Sequence, residues 1–111
     1  FRAEIAELIN RAAAFAGEVA SKPRHERLAR LATDALYNVA SAALMTWEGA
    51  TTGANGGDAR RMILARMVVE HRLRPEDPLS IPTTDWEEDA ITALLDPGAV
   101  SLERAVQLVA A

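Results

Sequence analysis

The chain contains no cysteine. That removes disulfides, thiolate metal sites and cysteine nucleophiles at once. Histidine is scarce: His25 and His71 are the two, each flanked by Arg and Glu. A zinc site would have to be assembled largely from carboxylates, so no metal centre is expected. Aromatic residues are few, two Trp, one Tyr and two Phe, although 50% of the 111 residues are apolar. The core must therefore be built from Ala, Leu, Val, Ile and Met. No apolar run approaches the length of a transmembrane helix, and the opening Phe1-Arg2-Ala3-Glu4 is amphipathic rather than a secretory leader. A cytoplasmic protein without a membrane span is expected. The net charge of −4 argues against a dedicated nucleic-acid binder, although Arg24, Arg27 and Arg30 form a local basic patch.

What is present is helical periodicity. The length suits one domain, 1–111, and no strand-like alternation or repeat is visible. The first predicted helix runs from about Arg2 to Ala20. Ile5, Leu8, Ile9, Ala12, Phe15, Ala16 and Val19 form its apolar face. Ser21-Lys22-Pro23 stops it, because Pro23 disfavours helical geometry at Lys22, and Pro23 is well suited to open the next helix. The second predicted helix spans about Arg24 to Glu48 and carries two apolar stripes. One is Leu28, Leu31, Ala32, Ala35, Val39, Ala42 and Ala43; the other includes Leu36, Ala40, Leu44 and Trp47. Two stripes on one helix imply burial on two sides, in a bundle or at a subunit interface.

Gly49 reads as the end of that helix, and Thr51 to Gly57 as a flexible loop. Asp58 reads as the cap of a third helix, Ala59 to about Leu73. Pro75, Pro78 and Pro82 mark a linker over 75–84. Thr84 with Glu87 makes a capping box for a short helix, Asp85 to Leu95. Asp96-Pro97-Gly98 is a turn, and Ser101 caps a last helix carrying Leu102, Ala105, Val106 and Val109. The expected fold is all-α: an antiparallel bundle of three longer helices over 1–74, then two short helices over 85–111. Its expected core includes Ile5, Leu8, Phe15, Leu28, Leu31, Leu36, Ile63 and Met67.

Several segments invite a chemical reading beside a plain one. Glu48 stands between Trp47 and Gly49, and it is the sole acidic residue between Asp34 and Asp58. It is either a solvated residue in a last helical turn or a carboxylate placed to face a ligand. The Gly-rich stretch to Asp58 is followed by no Lys-Ser/Thr pair and preceded by no strand, so it is neither a P-loop nor a dinucleotide fingerprint. Asp58 would repel an anion there, and a plain connection is the simpler reading. Arg60, Arg61, Arg66, Arg72 and Arg74 can hold phosphates or form a solvated face with Glu70, Glu76 and Asp77. Trp86 reads as a packing residue, and Met45, Met62 and Met67 as core fillers.

The order of helix, Trp47-Glu48-Gly49-Ala50, second helix with Ala65-Arg66-Met67-Val68-Val69-Glu70-His71, and Asp77-Pro78-Leu79 exit resembles the C-terminal helical domain of flavin-dependent acyl-CoA dehydrogenases of bacterial type. The resemblance covers the second half of helix two through helix three. It implies a C-terminal piece of a larger oxidoreductase, FAD in the intact protein and an acyl-CoA substrate. It also implies a homo-oligomer or partner chain joined through helix two. Glu48 would be the catalytic base that removes the acyl α-proton, a task that favours a dry pocket and a raised pKa. Ala50 stands where that family commonly has Thr, and the flavin-contacting Gly-rich segment is not in these residues. The chain alone is therefore expected neither to hold FAD tightly nor to turn over substrate. The alternative is a non-enzymatic helical bundle that mediates protein association.

Overall fold

The computed structural model describes residues 1–74, 77–81 and 85–110, the His25 side chain excepted. Every regular element among them is helical: α1 (Arg2–Ser21), a 3₁₀ turn (Pro23–Leu28), α2 (Ala29–Ala54), α3 (Arg60–Val68) continuing as a π turn (Val69–Leu73), α4 (Trp86–Leu95) and α5 (Leu102–Ala110). The fold is all-α, with long helices packed together and shorter C-terminal helices added to them. No helix among the described residues is long and apolar enough to cross a membrane.

Helix α1 buries Ile5, Ala12 and Val19, one residue in each seven, which keeps a single narrow seam against α2. Pro23 opens the 3₁₀ turn at a position where its missing N–H costs nothing. Helix α2 begins at Ala29, later than the sequence implies, and runs well past Gly49. It ends at Asn55-Gly56-Gly57. Gly56 has φ +78°, the Gly56 N–H donates to the Gly53 carbonyl at 3.1 Å, and the Gly57 N–H to the Thr52 carbonyl at 2.9 Å. This is a Schellman stop with glycine in the left-handed position. The expected loop from Thr51 is thus helical through Ala54.

Gly49 serves a different purpose from ending the helix. A Cβ there would lie 2.7 Å from the Met62 nitrogen and 3.2 Å from the Ala59 oxygen. At Gly53 a Cβ would meet the Ala59 Cβ at 2.8 Å and Leu102 Cβ at 3.1 Å. These glycines, one turn apart, let α3 lie directly on the α2 backbone. Asp58 does satisfy helix-start donors: its Oδ1 accepts from the Arg60 N–H at 3.0 Å. It also accepts from the Val100 N–H at 3.0 Å, while Ala59 N–H donates to the Val100 oxygen at 2.8 Å. The start of α3 is thereby tied to the segment entering α5. Ser101 Oγ accepts from the Arg104 N–H at 3.2 Å, as a cap for α5 should. Gly98 N–H bonds Asp96 Oδ1 at 2.8 Å in the expected turn. The Thr84 half of the expected capping box lies outside the described residues, and Glu87 instead faces His71, 2.9 Å from its Nε2.

The larger core lies between α3 and the two C-terminal helices: Ala59, Met62 and Ile63 against Trp86, Ala90, Val100, Ala105, Leu108 and Val109. A smaller cluster joins α1, α2 and the π turn through Ile5, Ala42 and Val69. Of the expected core, Ile5 and Ile63 are buried and Leu8, Phe15, Leu28 and Met67 partly so. Leu31 and Leu36 are not: they are 57% and 43% exposed. Only one of the two apolar stripes of α2 is covered by α1 and α3, which is why Ala32, Val39 and Ala42 are interior while Leu36 is not.

Candidate functional site

Two constructions stand out, a polar one inside and a largely apolar one outside. The inner one centres on Arg66, which is only 6% exposed. Its guanidinium lies 4.2 Å from the Trp86 ring centroid, in cation–π range. Nη1 donates to the Leu108 carbonyl, which also accepts the Trp86 indole N–H. Nε donates to Glu70 at 3.1 Å. Glu70 in turn accepts from Arg74, whose Nε and Nη2 each reach a Glu4 carboxylate oxygen at 2.6 Å. One chain of charges thus runs from α1 through the π turn and α3 to α4 and α5. Hydrogen bonds from Arg74 hold the Glu4 carboxyl below its ordinary range despite partial burial. The same bonds raise the Arg74 pKa. With its charges satisfied by one another, this network is a brace rather than a reactive centre.

Arg60 is likewise committed. It donates to the carbonyls of Leu94 at 3.0 Å, Asp96 at 3.1 Å and Gly98 at 2.8 Å, closing the α4–α5 turn, and its Nε lies 2.6 Å from Asp58. Burial works against ionisation of Asp58, but the Val100 and Arg60 N–H bonds and the Arg60 charge outweigh it and lower its pKa. The arginine set is therefore not one solvated face. Arg60, Arg66 and Arg74 are structural clamps, and Arg61 and Arg72 are exposed.

The outer construction is the uncovered side of α2. Tyr37 is 71% exposed, Leu44 60% and Trp47 66%, with Leu36 beside them. At its C-terminal end an open cleft of about 410 Å³ is lined by Trp47, Glu48, Thr51, Thr52 and Arg61. Glu48 is placed here, in mid-helix and partly exposed, with its carboxylate ion-paired to Arg61. The Gly49 beside it gives room to α3 and not to a ligand. Among the described residues no group of His, Asp and Glu is arranged to hold a metal ion.

Sequence reasoning finds Glu48, Trp47 and the second apolar stripe, and the structure brings them to one face. It misses the interior role of Arg66. A signal for that role is its spacing on α3, three residues after Ile63 and four after Met62, which puts it on their face of the helix. Comparison with protein-family models, curated proteins and solved structures returns no match.

Proposed function

We propose that this helical domain serves protein association through the outer face of α2. The observation that carries the reading is the row Leu36, Tyr37, Leu44 and Trp47, apolar or aromatic side chains left in water on one side of a helix whose other side is core. A contiguous apolar surface with a polar rim is characteristic of interaction sites, and aromatic residues supply most of the energy at such surfaces. Glu48 and Arg61 supply the rim. The test is sedimentation of fluorescently labelled chain, alone at rising concentration and in concentrated extract of the source cell. A species heavier than the monomer in either setting, lost on Leu44→Glu, is expected. A monomer in both overturns the reading.

A second reading is that of the acyl-CoA dehydrogenase-like piece, with Glu48 as base. The observation on its side is that Glu48 lines the open cleft on the uncovered face. Burial by a covering chain would give the carboxylate the dry setting that proton abstraction favours. The arginines do not fit a phosphate cradle for FAD or coenzyme A as they stand, because Arg60, Arg66 and Arg74 are held by the chain's own acceptors. Where the full-length protein reduces flavin with acyl-CoA, Glu48→Gln should slow reduction about 10²–10⁴-fold. A parental rate would remove Glu48 from the chemistry.

A further inference from the structure

Two segments of this chain carry opposite charge. Lys22, Arg24, Arg27 and Arg30 fall at the junction of α1, the 3₁₀ turn and α2, with Glu26 the one acidic residue among them. All four cations are exposed, and none is ion-paired with a described residue. Lys22 and Glu26 edge an open, largely apolar cleft of about 470 Å³ lined by Ala16, Val19, Ala20, Pro23 and Ala32. The three arginines each stand within one residue of Pro23, Glu26 or Ala29, which also line it. The opposite charge lies over residues 76–89, where Glu76, Asp77, Asp85, Glu87, Glu88 and Asp89 stand with no Lys or Arg. Within that stretch Leu79 is 93% exposed and Ile81 87%, more than any other large apolar side chain among the described residues. A turn holds them: Asp77 Oδ1 accepts the Leu79 N–H at 2.9 Å, and the Asp77 carbonyl accepts the Ser80 N–H at 3.2 Å.

We propose that the 77–81 turn of one chain docks on the basic cleft of a second copy. Leu79 and Ile81 enter the cleft, and the acidic residues around the turn face Lys22, Arg24, Arg27 and Arg30. The surface is separate from the outer face of α2, and the proposal does not rest on association there. Charge selects the occupant, because an acidic turn with two apolar side chains complements an apolar cleft with unpaired cations at its edge. Anchoring selects a second copy over the chain's own cleft. The acidic stretch follows Arg74, which is bonded to Glu4 in the first turn of α1, and it runs into Trp86, which is bonded to Leu108 of α5. The cleft lies at the other end of α1, and from Glu4 to Ala20 the helix rises roughly 24 Å. Consistent with this, Leu79 and Ile81 stand in water and not in the cleft of their own chain. Such a contact joins unlike surfaces, so each added chain leaves one cleft and one turn free, and assembly runs head to tail.

The test uses Leu44→Glu chains throughout, so that its failure leaves association through α2 untouched. At about 0.15 M salt screening acts over about 8 Å, and a contact this small does not hold chains together at sedimentation concentrations. At roughly 0.01 M salt, where charges act over about 30 Å, a concentration-dependent series of heavier species is expected. Two variants then divide the contact: Arg24→Ala with Arg27→Ala and Arg30→Ala removes the cleft's cations, and Leu79→Ser with Ile81→Ser removes the turn's apolar pair. All substituted residues are exposed, and circular dichroism confirms the helices. Each variant alone should associate at least about tenfold more weakly. Mixed in equal amounts they should form a dimer of one chain of each kind and nothing larger, since only one intact cleft and one intact turn meet. A Leu44→Glu chain that stays monomeric at low salt overturns the docking. So does either variant assembling as its parent does, or a mixture that stays monomeric while the parent assembles.

Discussion

The Leu108 carbonyl oxygen accepts from both Arg66 and Trp86, and the Arg66 guanidinium lies 4.2 Å from the centre of the Trp86 ring. A cation, a ring and a helix-end carbonyl thus lock α3, α4 and α5 together. Removing the cation loses the ring contact and two hydrogen bonds, to the Leu108 carbonyl and to Glu70. Arg66→Ala should destabilise the fold by about 2–4 kcal/mol, between the cost of a desolvated cation–π contact and that of breaking a buried ion pair. Arg66→Met should cost less than Arg66→Ala, because Met fills the buried site and keeps an apolar stem against Trp86, while both variants retain the Trp86–Leu108 and Arg74–Glu70 bonds. Urea unfolding of the three proteins checks the order. Equal stability of Arg66→Ala and the parent would show that the brace is not energetically used.

The same substitution has opposite signs at two glycines. At Gly17, in exposed α1, an added Cβ meets nothing within 4 Å. Gly17→Ala should stabilise by about 0.5–1 kcal/mol through helix propensity. At Gly49 the Cβ would press on the Met62 backbone nitrogen at 2.7 Å. The cost of forcing the helices apart, about 1–3 kcal/mol, outweighs the propensity gain. Thermal unfolding should therefore give a higher Tm for Gly17→Ala and a lower one for Gly49→Ala; a rise in both would contradict the close approach.

The contrast at these glycines shows where the sequence is and is not legible. A lone Gly near a helix end reads equally as a stop or as a place for close approach, and only the partner helix decides. Asn55-Gly56-Gly57 carries the true stop, since it offers the left-handed residue a Schellman motif needs. The helices themselves are legible because Ile5, Ala12 and Val19, or Ala32, Val39 and Ala42, repeat at helical spacing. Asp58 is legible as a cap, but not as the acceptor for Val100, 42 residues away. The role of Arg66 is hidden for the same reason: a cation in a helix is interior only if distant residues come to meet it. Leu31 and Leu36 read as core because an apolar stripe announces burial without naming what covers it.

Stability should fall in acid through Glu4. Its folded-state pKa is depressed below the ordinary 4.5 by Arg74. A depressed carboxyl contributes stability that is present above the unfolded value and lost as pH falls through the folded one. The loss therefore begins near pH 4.5 and deepens below it. Glu4→Gln should flatten this part of the profile while leaving the Asp58 contribution, of the same sign, in place. Denaturant midpoints measured from neutral pH down into acid check it; a parental acid slope in Glu4→Gln would separate Glu4 from the effect.

The outer face of α2 is open to one direct optical measurement. The chain has two tryptophans. Trp86 is buried in the core, and Trp47 is 66% exposed on the uncovered side of α2. Acrylamide therefore reports chiefly on Trp47. If association covers this face, quenching should weaken in step with an increase in sedimenting mass, and Leu44→Glu should stay monomeric and fully quenchable. Trp47 equally quenchable throughout, in a chain that sediments as a monomer alone and in extract, would contradict association through this face.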